Sequence, residues 1–270
     1  MQNRLGFIGA GNMAEAIARG VLSASLYRAQ DMIAADISPQ RRGLFADQLK
    51  IRSIEDAQGI VTQCQTVLLC VKPQHMAEML SRVRDLVTEK HLLISIAAGI
   101  STKFIQETLN GKLNLRVVRA MPNTPMLVNK GMVAICPGTH ATPDDMVAAK
   151  RIFEVAASVV EVREEMMNAV TSVSGSGPAY FFFLVEQMIK AGTEMGLTPQ
   201  QAHQLATQTA RGAAEMLCTS TDSPEELRRK VTSPGGTTHA AITIMQDRQL
   251  PAIIVEALKA ACRRGAELGK

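Results

Sequence analysis

Two patterns of apolar and polar positions alternate along the first 163 residues. Short runs that stay apolar without polar alternation recur at 4–9, 31–36, 65–71, 91–97 and 115–120. Such runs predict strands buried on both faces. Between them an apolar stripe with helical period covers 12–24, with Met13, Ala16, Ile17 and Val21 on one face. Helices are likewise predicted at 41–49, 75–87 and 102–109, and two short strands at 132–136 and 158–162 flank a helix at 142–157. Strand and helix in alternation predict a mostly parallel sheet with helices on both faces and right-handed crossovers.

Beyond Glu164 the pattern contains no convincing strand. The segment 178–195 is apolar nearly all round, which predicts a buried helix. Thr198-Pro199 is a helix start, with the helix predicted to run to about Cys218. Ser223 to Glu226 has capping-box spacing, and helices are predicted at 239–246 and 252–268. The boundary is placed near Glu164, giving a sheet domain at 1–163 and an all-helical domain at 164–270. A bundle of that size has little core of its own, so a second copy of the chain is the simplest cover for the long apolar helix. Gly192, Gly196, Gly212, Ala213 and Ala214 are small enough to let helices approach closely. A homo-oligomer formed through this domain is the expectation; the alternative is a bundle folded back on its own sheet.

Composition narrows the class. The 270 residues carry a net charge of +4, with both signs interspersed, and 46% are hydrophobic. That charge is too weak and too scattered to indicate nucleic acid. No apolar run reaches the length of a membrane span, and the start of the chain lacks a signal-peptide pattern. Cys64, Cys70, Cys136, Cys218 and Cys262 form neither a CxxC pair nor a metal-ligand spacing, so no metal site is expected. Scattered free thiols suggest a reducing, cytoplasmic setting.

Gly9, Gly11 and Ala14 form G-x-G-x-x-A directly after the first strand and at the start of the first helix. In that context the motif binds a dinucleotide pyrophosphate, and the sheet domain is expected to be Rossmann-like and doubly wound. Asn12 and Met13 belong to the same helix start, whose free N–H groups attract phosphate. Asp36 lies where NAD binders place an acid for the adenosine ribose. Ser38, Arg41 and Arg42 follow and suit the 2′-phosphate of NADP instead. The cofactor is therefore NADP or NAD. Further candidates end the next strands: Val71, Lys72 and Pro73; Ala97, Ala98 and Gly99, whose small size leaves room for a flat ring; and Pro122 with Asn123, whose amide could hold a carboxamide or a water. The alternative for the Pro122 loop is a rigid turn, with an unusual proline isomer as one form of it.

Near the other end, 231–239 reads VTSPGGTTH between two predicted helices. Ser233, Pro234, Gly235, Gly236, Thr237 and Thr238 can fold into a tight loop aiming N–H groups and hydroxyls at a small anion. The segment 174–178, containing Ser176, leads into the long helix and is a candidate pocket wall or a plain linker. His75, His91, His140 and His203 read as surface or cap residues, and His239 follows the loop; none is assigned a catalytic role.

GFIGAGNMAEAI, VKP, SIAAGI, RAMPNTP, SGSGPAY and VTSPGGTT occur in this order along the whole chain. In these motifs the sequence resembles the pyrroline-5-carboxylate reductase family. The resemblance implies reduction of 1-pyrroline-5-carboxylate to L-proline by NAD(P)H, the last step of proline biosynthesis. It implies a dimer interlocked through the C-terminal helices, sometimes assembled into a ring, and an active site shared between one subunit's cofactor domain and its partner's helices. It also makes Thr238 the key side chain, hydrogen-bonded to the imine nitrogen. Asp36 is one departure, since the family usually carries a residue friendlier to NADP there. Two rivals are a related imine or β-hydroxyacid dehydrogenase and a non-catalytic dinucleotide-binding regulator. The first usually has its lysine on the inter-domain helix, where Lys190 lies too far along. The second leaves the polar loop without a role.

Overall fold

The computed structural model describes residues 4–111 and 114–268. In chain order the sheet strands are β1 (Leu5–Ile8), β2 (Met32–Ala35), β3 (Arg52–Ile54), β4 (Thr66–Leu69), β5 (Leu92–Ser95), β6 (Arg116–Met121), β7 (Gly131–Pro137) and β8 (Ala157–Glu161). Between them run α1 (Asn12–Ser23), α2 (Pro39–Gly43), α3 (Gln58–Val61), α4 (Met76–Val83), α5 (Thr102–Asn110) and α6 (Pro143–Glu154). They are followed by α7 (Met167–Val170), α8 (Gly177–Glu194), α9 (Pro199–Thr219), α10 (Pro224–Lys230), α11 (Thr237–Asp247) and α12 (Leu250–Leu268).

The eight strands form one sheet in the order β3-β2-β1-β4-β5-β6-β7-β8. All pairs are parallel except β6 with β7. A nine-residue link, 122–130, joins those two strands, too short for a crossover helix. Why the strands carry no polar alternation is visible in the core. Leu5, Phe7, Met32, Ala34, Leu68 and Ile94 pack on one face with Ala14, Ile17 and Phe153 of α1 and α6. Ile8, Ile33, Ala35, Val67, Leu69 and Leu93 pack on the other with Ile60, Leu80 and Ile105 of α3 to α5. Successive side chains point to opposite faces, and both faces are covered.

Three sequence-based expectations change. β3 and α3 were not foreseen. The helix expected at 41–49 starts earlier, at Pro39, and passes into a wider π-type turn over Leu44–Gln48. His91 is buried, not a surface or cap residue. Its Nδ1 accepts from the Thr88 N–H at 3.0 Å and its Nε2 lies 3.0 Å from the Val61 carbonyl, so the ring ties the turn before β5 to the end of α3. By contacts the chain divides at a different place from the change of pattern near Glu164, after Ser176, with 261–268 grouped with the sheet. Glu164 explains the later boundary: its carboxylate accepts from the Thr102 N–H (2.7 Å) and hydroxyl (2.6 Å) at the start of α5. Met167 is fully buried against Ala134 and Cys136.

The second compact unit, Gly177–Ala260, consists of helices joined by short turns and loops. Thr198 with Gln201 and Ser223 with Glu226 form reciprocal capping boxes. Gly192 lets α8 and α9 touch, since a Cβ there would lie 3.2 Å from the Ala202 Cβ. Gly196 is instead a turn residue with φ +99°, and Gly212 faces open space. The apolar α8 is not buried within the single chain. Phe181, Phe182 and Phe183 are 63–68% exposed, and Met195, Met216, Ile244 and Ile253 are also exposed. Among the described residues of this unit only Ala202 and Ala206 are buried apolar side chains. An apolar surface of this kind marks an interaction face. No helix is long and apolar enough to cross a membrane among the described residues.

Candidate active site

The strand order reverses direction at β1, between β2 and β4, and in open α/β sheets ligands bind where it does so. The chain leaves β1 through Gly9, whose N–H donates to the Ala35 carbonyl at 2.7 Å. Gly9 has φ +98°, and a Cβ there would lie 2.8 Å from the Cys70 backbone. Both facts require glycine. Gly11 is different: it has extended backbone at the N-cap of α1, and nothing lies within 4 Å of where its Cβ would be. The protein's own packing therefore does not need Gly11, whereas a ligand lying on the loop does. No side chain caps α1, so its first N–H groups remain available to a phosphate. Ala14, fully buried, seats the helix on the sheet.

Asp36 reaches back to this loop. Its Oδ2 accepts from the Ala10 N–H at 2.7 Å and its Oδ1 from the Ser38 N–H at 2.8 Å. The Ser38 hydroxyl caps α2 by accepting from the Arg41 N–H at 3.4 Å. Arg41 donates through Nε to the Ala10 carbonyl (2.5 Å) and through Nη2 to Glu15 (2.9 Å). Arg42 donates to the Asp36 and Ile37 carbonyls at 2.8 and 3.0 Å and pairs with Glu55 at 3.3 Å. Burial pushes the Glu15 carboxyl up, but hydrogen bonds from Arg19 and Arg41 outweigh it and hold the group below the ordinary glutamate range.

A cleft of about 610 Å³ opens beside the loop. Of the candidate cofactor residues, Gly9, Gly11, Asp36, Val71 and Lys72 line it. So do Glu55, Asp56, His75, Glu78, Met79 and Arg82, which the sequence reading missed. Glu55 and Asp56 come from the link between β3 and α3, His75 from the turn after β4, and the other three from α4. Cys70 also lines the cleft; burial pushes its thiol up, so it stays protonated near neutral pH and serves as an apolar wall. Asn12, Met13, Ser38, Arg41, Pro73, Ala97, Ala98, Gly99, Pro122 and Asn123 lie outside this lining. Gly99 has φ +77°, which the turn after β5 requires.

Asn123 is a correction. Its amide does not stand free for a carboxamide or a water. Its Nδ2 donates to the Ser174 carbonyl at 3.1 Å and its Oδ1 accepts from the Met132 N–H at 2.8 Å. The side chain is a strut between the β6–β7 link and the segment before α8, and no cis peptide bond occurs among the described residues. In the same region Arg119, buried on β6, lies 3.5 Å from Glu164. Ser176 stands at the end of the helical turns over 171–175, its N–H donating to the Thr171 carbonyl at 2.8 Å.

The polar loop has a defined local fold. Pro234 and Gly235 occupy the centre of a turn closed by the Gly236 N–H on the Ser233 carbonyl at 3.0 Å. Gly235 has φ +70°, as the third position of a type II turn demands. Gly236 is also closely approached: a Cβ would lie 2.9 Å from the Ser233 hydroxyl and 3.1 Å from the Ser233 carbonyl oxygen. α11 then starts at Thr237, two residues before the sequence-predicted start. Gly236 is its N-cap, without a side-chain cap. The first N–H accepted within the helix belongs to Ala240, at 3.1 Å from the Gly236 carbonyl. The N–H groups of Thr237, Thr238 and His239 therefore point out of the helix start, with the half-exposed Thr238 among them.

A glycine-loop cleft at the switch point, with an open place for pyrophosphate, is the site of a dinucleotide-binding protein. Residues 4–99 match the family model described as NADP oxidoreductase coenzyme F420-dependent, and residues 164–268 match pyrroline-5-carboxylate reductase dimerisation. The chain is 38% identical to the pyrroline-5-carboxylate reductase of Synechocystis sp. and 32% to that of Escherichia coli, each over 270 residues and the full length of both chains. The solved structure of a pyrroline-5-carboxylate reductase from Coxiella burnetii superposes with a TM-score of 0.90 at 33% identity, covering all of both chains. The Plasmodium falciparum pyrroline carboxylate reductase, solved with NADP bound, gives 0.89 at 26% identity over 100% of this chain and 99% of that one. The chain belongs to the pyrroline-5-carboxylate reductase family, and its dimerisation region makes it a homo-oligomer.

The two glycines of the loop should separate stability from binding. Gly9→Ala should destabilise the protein by about 2 kcal/mol or more through a strained φ. Gly11→Ala should change stability by at most about 1 kcal/mol, yet weaken dinucleotide binding about tenfold or more by placing a methyl group in the pyrophosphate's path. Thermal unfolding and calorimetric titration measure both. Undiminished binding in the Gly11 variant would contradict the assignment.

Proposed function

We propose that this protein reduces 1-pyrroline-5-carboxylate to L-proline with NAD(P)H, the last step of proline biosynthesis. The observation that carries the reading is the uncapped start of α11 with Thr238 in its first turn, in a chain matching pyrroline-5-carboxylate reductases end to end. When bound, the reduced nicotinamide supplies a hydride to the imine carbon, which becomes C5 of proline.

The rest is the work of the chain's own groups. The loop after β1 and the N-terminus of α1 hold the pyrophosphate; Asp36, Val71 and Lys72 flank the adenosine side. The substrate carboxylate is held by the N–H groups at the start of α11, favoured also by the helix dipole. Ser233, Pro234, Gly235, Gly236 and Thr237 shape that cradle. Thr238 Oγ1 hydrogen-bonds the ring nitrogen, keeping the protonated imine oriented while its carbon accepts the hydride. The cationic imine is already electrophilic, so orientation and charge placement carry the rate.

Thr238→Ala should lower kcat/KM about 10²-fold or more while leaving the unfolding temperature unchanged. Wild-type kcat/KM in that variant would remove Thr238 from the mechanism.

The finer assembly is a homodimer through the C-terminal helices, with a ring of dimers as a further stage. Its support is the exposed apolar face of α8, together with the match to a dimerisation model. Phe182→Asp should shift the protein toward the single-chain mass in light scattering at micromolar concentration, because a buried charge at an apolar interface is costly. An unchanged mass would place the contact elsewhere.

A further inference from the structure

NADH and NADPH differ by one group, a phosphate on the adenosine 2′ oxygen. Its acceptance needs donors free to turn toward it, usually arginine. Its rejection needs only a fixed negative charge at the same place. At the end of β2 both conditions point the same way.

The nearest backbone N–H groups, those of Ala10 and Ser38, are occupied by the Asp36 carboxylate at 2.7 and 2.8 Å. These bonds fix the carboxylate while leaving each oxygen a further lone pair for a ribose hydroxyl. Arg41 is held by the Ala10 carbonyl and Glu15, and Arg42 by two carbonyls and Glu55. Turning either outward would break a bond to a backbone carbonyl and an ion pair. The cleft wall adds to the effect. Its carboxylates are Asp36, Glu55, Asp56 and Glu78, against the permanent cations Lys72 and Arg82, and Arg82 is paired with Glu78.

Given that the cleft holds a dinucleotide, we propose that this chain selects NADH over NADPH, with the Asp36 carboxylate as the discriminating group. The 2′-hydroxyl of NADH donates to Asp36; the 2′-phosphate of NADPH meets a fixed carboxylate with no free guanidinium beside it. The discrimination is at least about tenfold in Kd, as a like-charge contact in a half-buried cleft implies.

Calorimetric titration of the full-length protein with NADH and with NADPH, without substrate, tests this. The expected result is a Kd for NADPH at least about tenfold higher. Raising salt from about 0.02 to 0.3 M should narrow that ratio, because repulsion is screened; widening would mean that a cation holds the 2′-phosphate. Asp36→Asn keeps an acceptor oxygen for the Ala10 N–H and removes the charge, so the ratio should fall below about threefold, mainly through tighter NADPH binding. Equal or tighter NADPH binding in the wild type overturns the preference. An unchanged ratio in Asp36→Asn overturns Asp36 as its cause. If the variant loses both cofactors, the wild-type ratio and its salt dependence still decide. If the wild type binds neither, the dinucleotide reading itself fails, which is a distinct result.

Discussion

The close passage of Gly9 beneath the exit of β4 is the constraint on which the rest of the structure depends. Only a glycine with φ +98° brings the backbone within reach of Cys70 without a clash. That passage lets β1 and β4 pair as neighbours at the point where the strand order reverses. It also turns the chain so that α1 presents its bare N-terminus beside the cleft. Asp36 and Arg41 then brace the loop from β2 and α2, through the N–H and the carbonyl of the same residue, Ala10. The proposed phosphate site is thereby built largely from backbone, with its side chains used to fix the backbone in place.

The two compact units solve opposite problems. The sheet unit buries both faces of its strands and has two continuous apolar clusters. The helical unit keeps its own contacts at small residues, Gly192, Ala202 and Ala206, and turns phenylalanines outward. Stability of the second unit is therefore tied to association with another copy, as expected of a dimerisation region. The proposed anion cradle of the Ser233 turn is local by comparison: it is formed by Pro234, Gly235, Gly236 and the start of α11.

Much of this was legible because it is local. Apolar runs flanked by helical stripes reveal β1, β2 and β4 to β6, and proline after a capping threonine or serine reveals the starts of α9 and α10. The Pro-Gly turn could be read from four residues. β3 escaped because it is three residues long, begins with an exposed arginine and lies at the sheet edge. Its absence from the reading hid Glu55 and Asp56 from the cleft. Asn123 suggested a ligand contact because its amide can serve one, but its partners lie 9 and 51 residues away, and no spacing rule announces them. His91 looked polar and exposed for the same reason: its acceptor, Val61, is distant in sequence. The expected boundary near Glu164 follows the change in pattern, whereas the compact division follows the contacts that Glu164 makes with Thr102 and Arg119.

The central claim is that hydride passes from a reduced nicotinamide to the imine carbon of pyrroline-5-carboxylate. Its most direct test is to incubate the protein with pyrroline-5-carboxylate and reduced cofactor deuterated at both C4 positions, then to locate the label in the product by mass spectrometry. The account predicts L-proline carrying one deuterium at C5, formed in step with cofactor oxidation. Cofactor oxidation without labelled proline, or no oxidation despite cofactor binding, would contradict it.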